Sequence, residues 1–222
     1  MRAAAAALAL LVGACGSEDP GGGGNQGVSL LREAFGRLRA EPAPDVRAML
    51  TRERLAASPL PILLAEFERD GLGTAFGLVP ASADGAGVVQ WRSADDRGLV
   101  IRGGMLAETQ GFGFDLHAAD ARETATAFGQ GGGQALTRIH RTLTPGGGIS
   151  ISAFVCDLAP EGPETLVFYG VAYPTTRWRE DCFGTEEQFR NRFWIGVDGI
   201  LRRSEQWAGP ELGSVLLDRL VD

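Results

Sequence analysis

Few side chains in this 222-residue sequence are equipped for chemistry, and their spacing limits what they could do. The histidines are His117 and His140, so a Ser-His-Asp triad would have to recruit one of them. His140 lies in the run Thr137-Arg138-Ile139-His140-Arg141. On a strand, Arg138 and His140 share one face and Arg141 turns to the other, an arrangement that could contact an anion or a sugar acid. The same arginines could instead pair with acidic residues on neighbouring strands. The four tryptophans Trp91, Trp178, Trp194 and Trp207 fall in strand-like runs, where an indole can stack on a sugar ring or fill a core. Trp91, Arg138, His140, Trp194 and Trp207 are therefore the candidate ligand-binding residues, with no catalytic residue among them.

Three cysteines complete the reactive set. Cys15 follows Val12-Gly13-Ala14, a branched apolar residue and two small ones, which reads as a bacterial lipobox. The Ala3 to Val12 stretch before it is apolar and preceded by Arg2, too short for a membrane span of roughly 20 residues but suited to a signal peptide over residues 1–14. Cys15 then becomes the acylated first residue of the mature chain. Two or three acyl chains make a stable anchor, each buried methylene contributing about 0.8 kcal/mol. Gly16 follows the cysteine where an aspartate would retain many lipoproteins at the inner membrane, so the expected destination is the outer membrane of a Gram-negative cell, facing the periplasm. The alternative is an ordinary cleaved signal with a chance cysteine. Cys156 and Cys182 remain as one pair, which in an oxidising periplasm usually forms a disulfide; two buried thiols are the other reading. Neither histidine stands at ligand spacing from a cysteine, so no metal or cofactor is expected.

Residues 15–27 are glycine-rich and polar, cannot bury enough surface to offset ordering entropy, and read as a flexible tether. Its Gly22-Gly23-Gly24-Asn25-Gln26-Gly27 matches a dinucleotide fingerprint only formally, because no strand precedes it. Residues 28–222 then form one domain. Val28 to Leu38 reads as a short amphipathic helix, ended by Glu41-Pro42-Ala43-Pro44. From Leu60 onward, short runs bounded by glycine, proline or aspartate indicate antiparallel β structure. Asp115 to Phe128, with Asp115 as N-cap and an alanine-rich body, reads as a second helix that places His117 at its surface or cap. Val197-Asp198-Gly199-Ile200 carries an Asp-Gly hairpin turn. The expected fold is mainly β, an antiparallel barrel or half-barrel of about ten strands with two short helices.

The formal charge of −7 argues against nucleic acid or an anionic lipid surface as partner. There is no Gly-x-Ser-x-Gly elbow, His-Glu-x-x-His motif or P-loop. With 28 acidic residues, a carboxylate pair fit for glycoside cleavage cannot be singled out by sequence.

Several stretches taken in order, VVQWRSADD, GMLAETQGFGFDL, TRIHRTL, FVCDLAPEGPETL, TTRWREDC, NRFWIGVDGIL and SEQWAGPELG, resemble the YjbF/GfcB family of bacterial lipoproteins. The resemblance spans Leu60 to Leu220 and is most specific at the end. There Trp194 precedes the Asp-Gly turn, and Ser204, Gln206, Trp207, Gly209, Pro210 and Gly213 follow in the family's spacing. It implies a barrel-like periplasm-facing lipoprotein that assists capsule or exopolysaccharide export without catalysis, in contact with polysaccharide or export-machinery proteins. The rival readings are a lipid or lipoprotein carrier, which needs a deep apolar pocket, and a sugar-modifying enzyme, which needs carboxylates facing across a cleft. A pure scaffold would instead show an exposed apolar patch.

Overall fold

A computed structural model describes residues 46–68, 87–94 and 96–222 in full and the backbone of 76–83. The signal peptide, Cys15, the tether and the Val28 to Leu38 helix lie outside the described residues. Two short helices, α1 (Val46–Met49) and α2 (Arg52–Ala56), precede the strands. Thr51 caps α2 by accepting a hydrogen bond from the Arg54 N–H.

Strands β1 (Ile62–Phe67), β2 (Phe76–Ala83), β3 (Val88–Arg92), β4 (Gly98–Arg102) and β5 (Met105–Gln110) form an antiparallel meander. A second meander follows, with β6 (Leu116–Asp120), β7 (Gly133–Leu143), β8 (Ile149–Phe168), β9 (Val171–Phe183), β10 (Gln188–Gly196), β11 (Leu201–Gly209) and β12 (Gly213–Val221). β12 returns to pair with β1, joining the two into one sheet of twelve strands whose ends are β5 and β6. The mainly β, antiparallel expectation holds.

Along the β-strands the two faces separate cleanly. Leu63, Ala65 and Phe67 of β1 join Trp91, Leu99, Leu106, Leu116, Val215 and Leu217 in an inner core. Leu64 and Leu220 point the other way, into an outer core with Leu55 of α2, Trp194, Leu166 and Phe168. That outer core exists because the far end of the β8–β9 hairpin folds back: the bulge between Pro160 and Gly162 re-aims Leu166 and Phe168, and the Tyr169 hydroxyl donates to the Arg47 carbonyl at 2.9 Å. Pro160 and Pro163 fit inside β8 because β7 stops pairing at Leu158, which leaves that stretch an edge strand.

One expectation needs correction. The helix within Asp115 to Phe128 is only α3 (Arg122–Ala127) with a 3-10 turn at Phe128–Gln130, and His117 lies on strand β6. Asp115 caps a turn instead of a helix, accepting from Thr109 Oγ1 at 2.8 Å and from the Gly111 N–H at 3.0 Å. Pairing of β6 with β7 won over the alanine-rich helical propensity. Among the described residues twelve strands fill out the expected set of about ten, with β6 and β12 added and the runs GISISAFVCDL and ETLVFYG forming parts of one 20-residue strand, β8. With α3, α1 and α2 make three short helices among the described residues.

Cys156 and Cys182 are direct cross-strand partners on β8 and β9, fully buried and joined by a disulfide with S–S 2.03 Å. With a sequence separation of 26, the link should contribute about 3.5 kcal/mol by restricting the unfolded chain. Replacing both cysteines by alanine should lower the unfolding free energy by about that amount, measured as a reduced urea midpoint.

Candidate functional site

The inner face of β7, β9, β10 and β11 carries a polar layer between apolar ones. Arg138 on β7 reaches past β8 to Glu180 on β9, Nη2 to Oε2 at 3.1 Å, with both side chains buried. Glu180 Oε2 also accepts from Asn191 Nδ2 at 2.6 Å, and its Oε1 accepts from Thr124 Oγ1 of α3 at 2.5 Å. The disulfide beside Glu180 leaves no thiolate for a metal, although the three residues are close. A buried ion pair needs this many hydrogen bonds to offset desolvation. The layer is therefore a brace that ties α3, β7, β9 and β10 together, and Arg138 has its charge spent inside.

Asn191 extends the brace to β11. Its Oδ1 accepts from the Trp207 N–H at 2.8 Å, where the regular β10–β11 ladder has ended and a bulge begins. Trp207 stacks on Phe189 at 4.5 Å and on His140 at 5.3 Å, over the disulfide and Phe154. His140 Nε2 lies 3.5 Å from Arg138 Nη1. An arginine N–H can only donate, so Nε2 accepts and the proton sits on Nδ1, which is buried without a partner. Burial first, and the Arg138 charge second, push the His140 pKa down to about 3.

The structure thus brings Arg138, His140 and Trp207 together and places Trp91 and Trp194 elsewhere. Trp91 is in the inner core. Trp194 is in the outer core, its indole N–H buried and unbonded, with Arg203 over the ring at 5.9 Å. Glu180 and Asn191 escaped the sequence reading. The cross-strand register of Cys156 with Cys182 puts Glu180 two residues away on the inward face, and that alternation was the available signal.

On the outer face arginines of β9 and β10 form a ladder with acids on adjacent strands: Arg177 with Glu161 at 2.6 Å, Arg190 with Asp181 at 2.6 Å, and Arg192 with Glu205 at 2.7 Å. Asp218, buried in the outer core, holds both Arg203 and Arg47, at 2.5 and 3.0 Å.

Several recesses open on the described surface. A groove of about 530 Å³ runs between α3 and β7, lined by Arg122, Glu123, Thr126 and Thr137. A cleft of about 290 Å³ lies where β5 and β6 part, with Glu108 and His117 in its walls. An apolar recess of about 170 Å³ enters the inner core at Leu63, Val89, Trp91 and Leu217. The fourth, of about 500 Å³, is bounded by Ser150, Ser152, Thr185, Glu186 and Glu187. Burial and the neighbouring Glu186 charge raise the Glu187 pKa. These two carboxylates are adjacent in the chain, on one wall.

The model of the group 4 capsule polysaccharide lipoprotein family GfcB/YjbF matches residues 31–220. The chain belongs to the YjbF family. The crystal structure of the hypothetical lipoprotein YmcC from Escherichia coli (K12) shares the fold, with a TM-score of 0.68 at 19% identity over 88% of this chain and 95% of that one. No curated protein matches the sequence. Membership in the YjbF family makes this a capsule-polysaccharide-associated lipoprotein, with the envelope location that such an anchor implies.

Two measurements check the brace. Glu180→Ala leaves Arg138 buried and uncompensated and should destabilise the fold by about 3 to 5 kcal/mol, whereas the double change Arg138→Met, Glu180→Leu should restore most of that loss in a urea titration. For His140 the folded pKa lies below the unfolded value near 6.5, so the unfolded state binds the extra proton and stability falls as pH drops below about 6.5. Between pH 6 and 5, the wild-type unfolding free energy should decline toward about 1.4 kcal/mol per pH unit, and His140→Phe should flatten that slope.

Proposed function

We propose that this chain is a non-enzymatic accessory of capsule or exopolysaccharide assembly or export, anchored in the outer membrane through acylated Cys15 and facing the periplasm. The match of residues 31–220 to a capsule lipoprotein family carries the reading. The geometry supports it: Arg138, His140 and Trp207, three of the five residues that the sequence offered to a ligand, brace the wall. None of the helices among the described residues is long and apolar enough to cross a membrane, and a lipid on Cys15 would supply attachment.

The carrier reading has less support, since the apolar recess of about 170 Å³ falls below the roughly 300 Å³ at which small-ligand pockets begin. The enzyme reading asks for carboxylates facing across a cleft, and the carboxyl whose proton affinity is raised, Glu187, has its acidic neighbour beside it in the chain.

The test is a chromosomal deletion complemented with the full-length gene or its Cys15→Ser variant. The deletion should reduce surface polysaccharide without abolishing intracellular synthesis. Cys15→Ser should lose metabolic labelling by fatty acid, leave the membrane fraction and fail to restore full output. Unchanged surface polysaccharide in the deletion strain would overturn the reading.

A further inference from the structure

Strand β8 has two edges of opposite character. From Ala159 onward, where β7 no longer pairs, the exposed edge carries Pro160, Pro163 and a bulge, three devices that keep another strand from adding. At the other end, β9 stops at Phe183 opposite Val155, so residues 149–154 pair with β7 alone. There the ladder runs from Leu143↔Ile149 to Arg138↔Phe154 without a register shift, and the segment Ile149-Ser150-Ile151-Ser152-Ala153-Phe154 holds no proline and no charge. Alternate residues of an antiparallel strand aim their backbone N–H and C=O groups away from the partner, so half of this stretch presents free main-chain groups.

The surroundings are shaped for an added strand. Gly184 lies flat on the Phe154 ring, where a Cβ would come within 2.7 Å of a ring carbon, and the Gly184 N–H donates to the Glu187 carbonyl at 2.8 Å. This tight turn closes the β9–β10 hairpin, and the recess of about 500 Å³ lies between it and residues 150–154 of β8. Ile149 and Ile151 are 50% and 65% exposed, and the apolar row continues through Val155 and Phe183, cross-strand partners 56% and 55% exposed.

Charge selects the occupant. Glu186 and Glu187 line the recess, and neither makes an ion pair among the described residues. At the far end of the apolar row, Asp157 faces Asp181 directly; Asp181 is held by Arg179 and Arg190, while among the described residues Asp157 accepts from the Ala135 N–H alone. Arg141, opposite Ile151, is the cation on the β7 side. A second copy paired edge to edge would bring two Glu186-Glu187 pairs together, so self-association is disfavoured.

We propose that the edge of β8 at residues 149–154, with the Glu186-Glu187 recess beside it, docks an extended segment of another protein whose apolar side chains alternate with basic ones. Main-chain hydrogen bonds to β8 provide affinity, Ile149 and Ile151 receive the apolar side chains, and the two glutamates receive the cations. This surface does not depend on the polysaccharide reading.

The probe is a fluorescein-labelled peptide of about eight residues alternating valine and arginine, titrated against the detergent-solubilised full-length lipoprotein, with a valine–glutamate peptide as control. The arginine peptide should bind and protect amides within 149–154 from hydrogen exchange. Ile151→Lys, at an exposed site that folding tolerates, should weaken it about tenfold or more. Glu186→Arg with Glu187→Arg should remove the preference for the basic peptide. Equal binding of both peptides to the wild type, or binding indifferent to Ile151→Lys, would overturn the proposal. So would a concentration-dependent dimer that Ile151→Lys dissolves, since the edge would then belong to a second copy.

Discussion

Where the twelve-strand order ends at β5 and β6, backbone groups on the wall must find partners that no neighbouring ladder supplies. Gln206 answers that constraint. From β11 its Oε1 accepts the Leu106 N–H at 2.8 Å, and its Nε2 donates to the Gly104 carbonyl at 3.1 Å and to Ser204 Oγ at 3.0 Å. One buried amide thus stitches the end strand β5 to β11 and uses both halves of its hydrogen-bonding capacity. At the other end of the break, Asp115 gathers Thr109 and the Gly111 N–H, and the Leu116 N–H donates to Thr109 Oγ1 at 2.8 Å. Side chains do here what a ladder does elsewhere, and the inner core stays closed.

That closure explains why the residues most suggestive of chemistry are not displayed. A curled sheet of this size must fill its interior, and aromatic and long side chains fill it well. Arg138 enters as a charge and therefore requires Glu180, which in turn requires Asn191 and Thr124 to satisfy its remaining lone pairs. His140 survives as a neutral ring stacked among Phe189 and Trp207. The outer face carries the cross-strand ion pairs instead.

Much of this was legible in sequence. Alternation marked most strands, the Asp-Gly pair marked the β10–β11 turn, where Gly199 adopts φ 79°, and the cysteine count gave the disulfide. β12 was missed because both of its faces are covered: Val215 and Leu217 face the inner core, and Asp218 and Leu220 the outer side, so period-two contrast vanishes. β6 was missed because its alanines favour a helix locally, and only pairing with β7 decides otherwise. Spacing shows which residues share a face, as Arg138 and His140 do, but which face is inside depends on strands distant in sequence.

The measurement that bears most directly on this account is native-state hydrogen exchange at the Leu106 amide, in the wild type and in Gln206→Ala. If Gln206 seals β5 against β11, the Leu106 amide should exchange only with global unfolding in the wild type, and Gln206→Ala should open it to local exchange while the β8–β9 amides stay protected. Fast Leu106 exchange in the wild type, or exchange indifferent to the loss of Gln206, would mean that β5 is an ordinary frayed edge and that Gln206 does not hold it to β11.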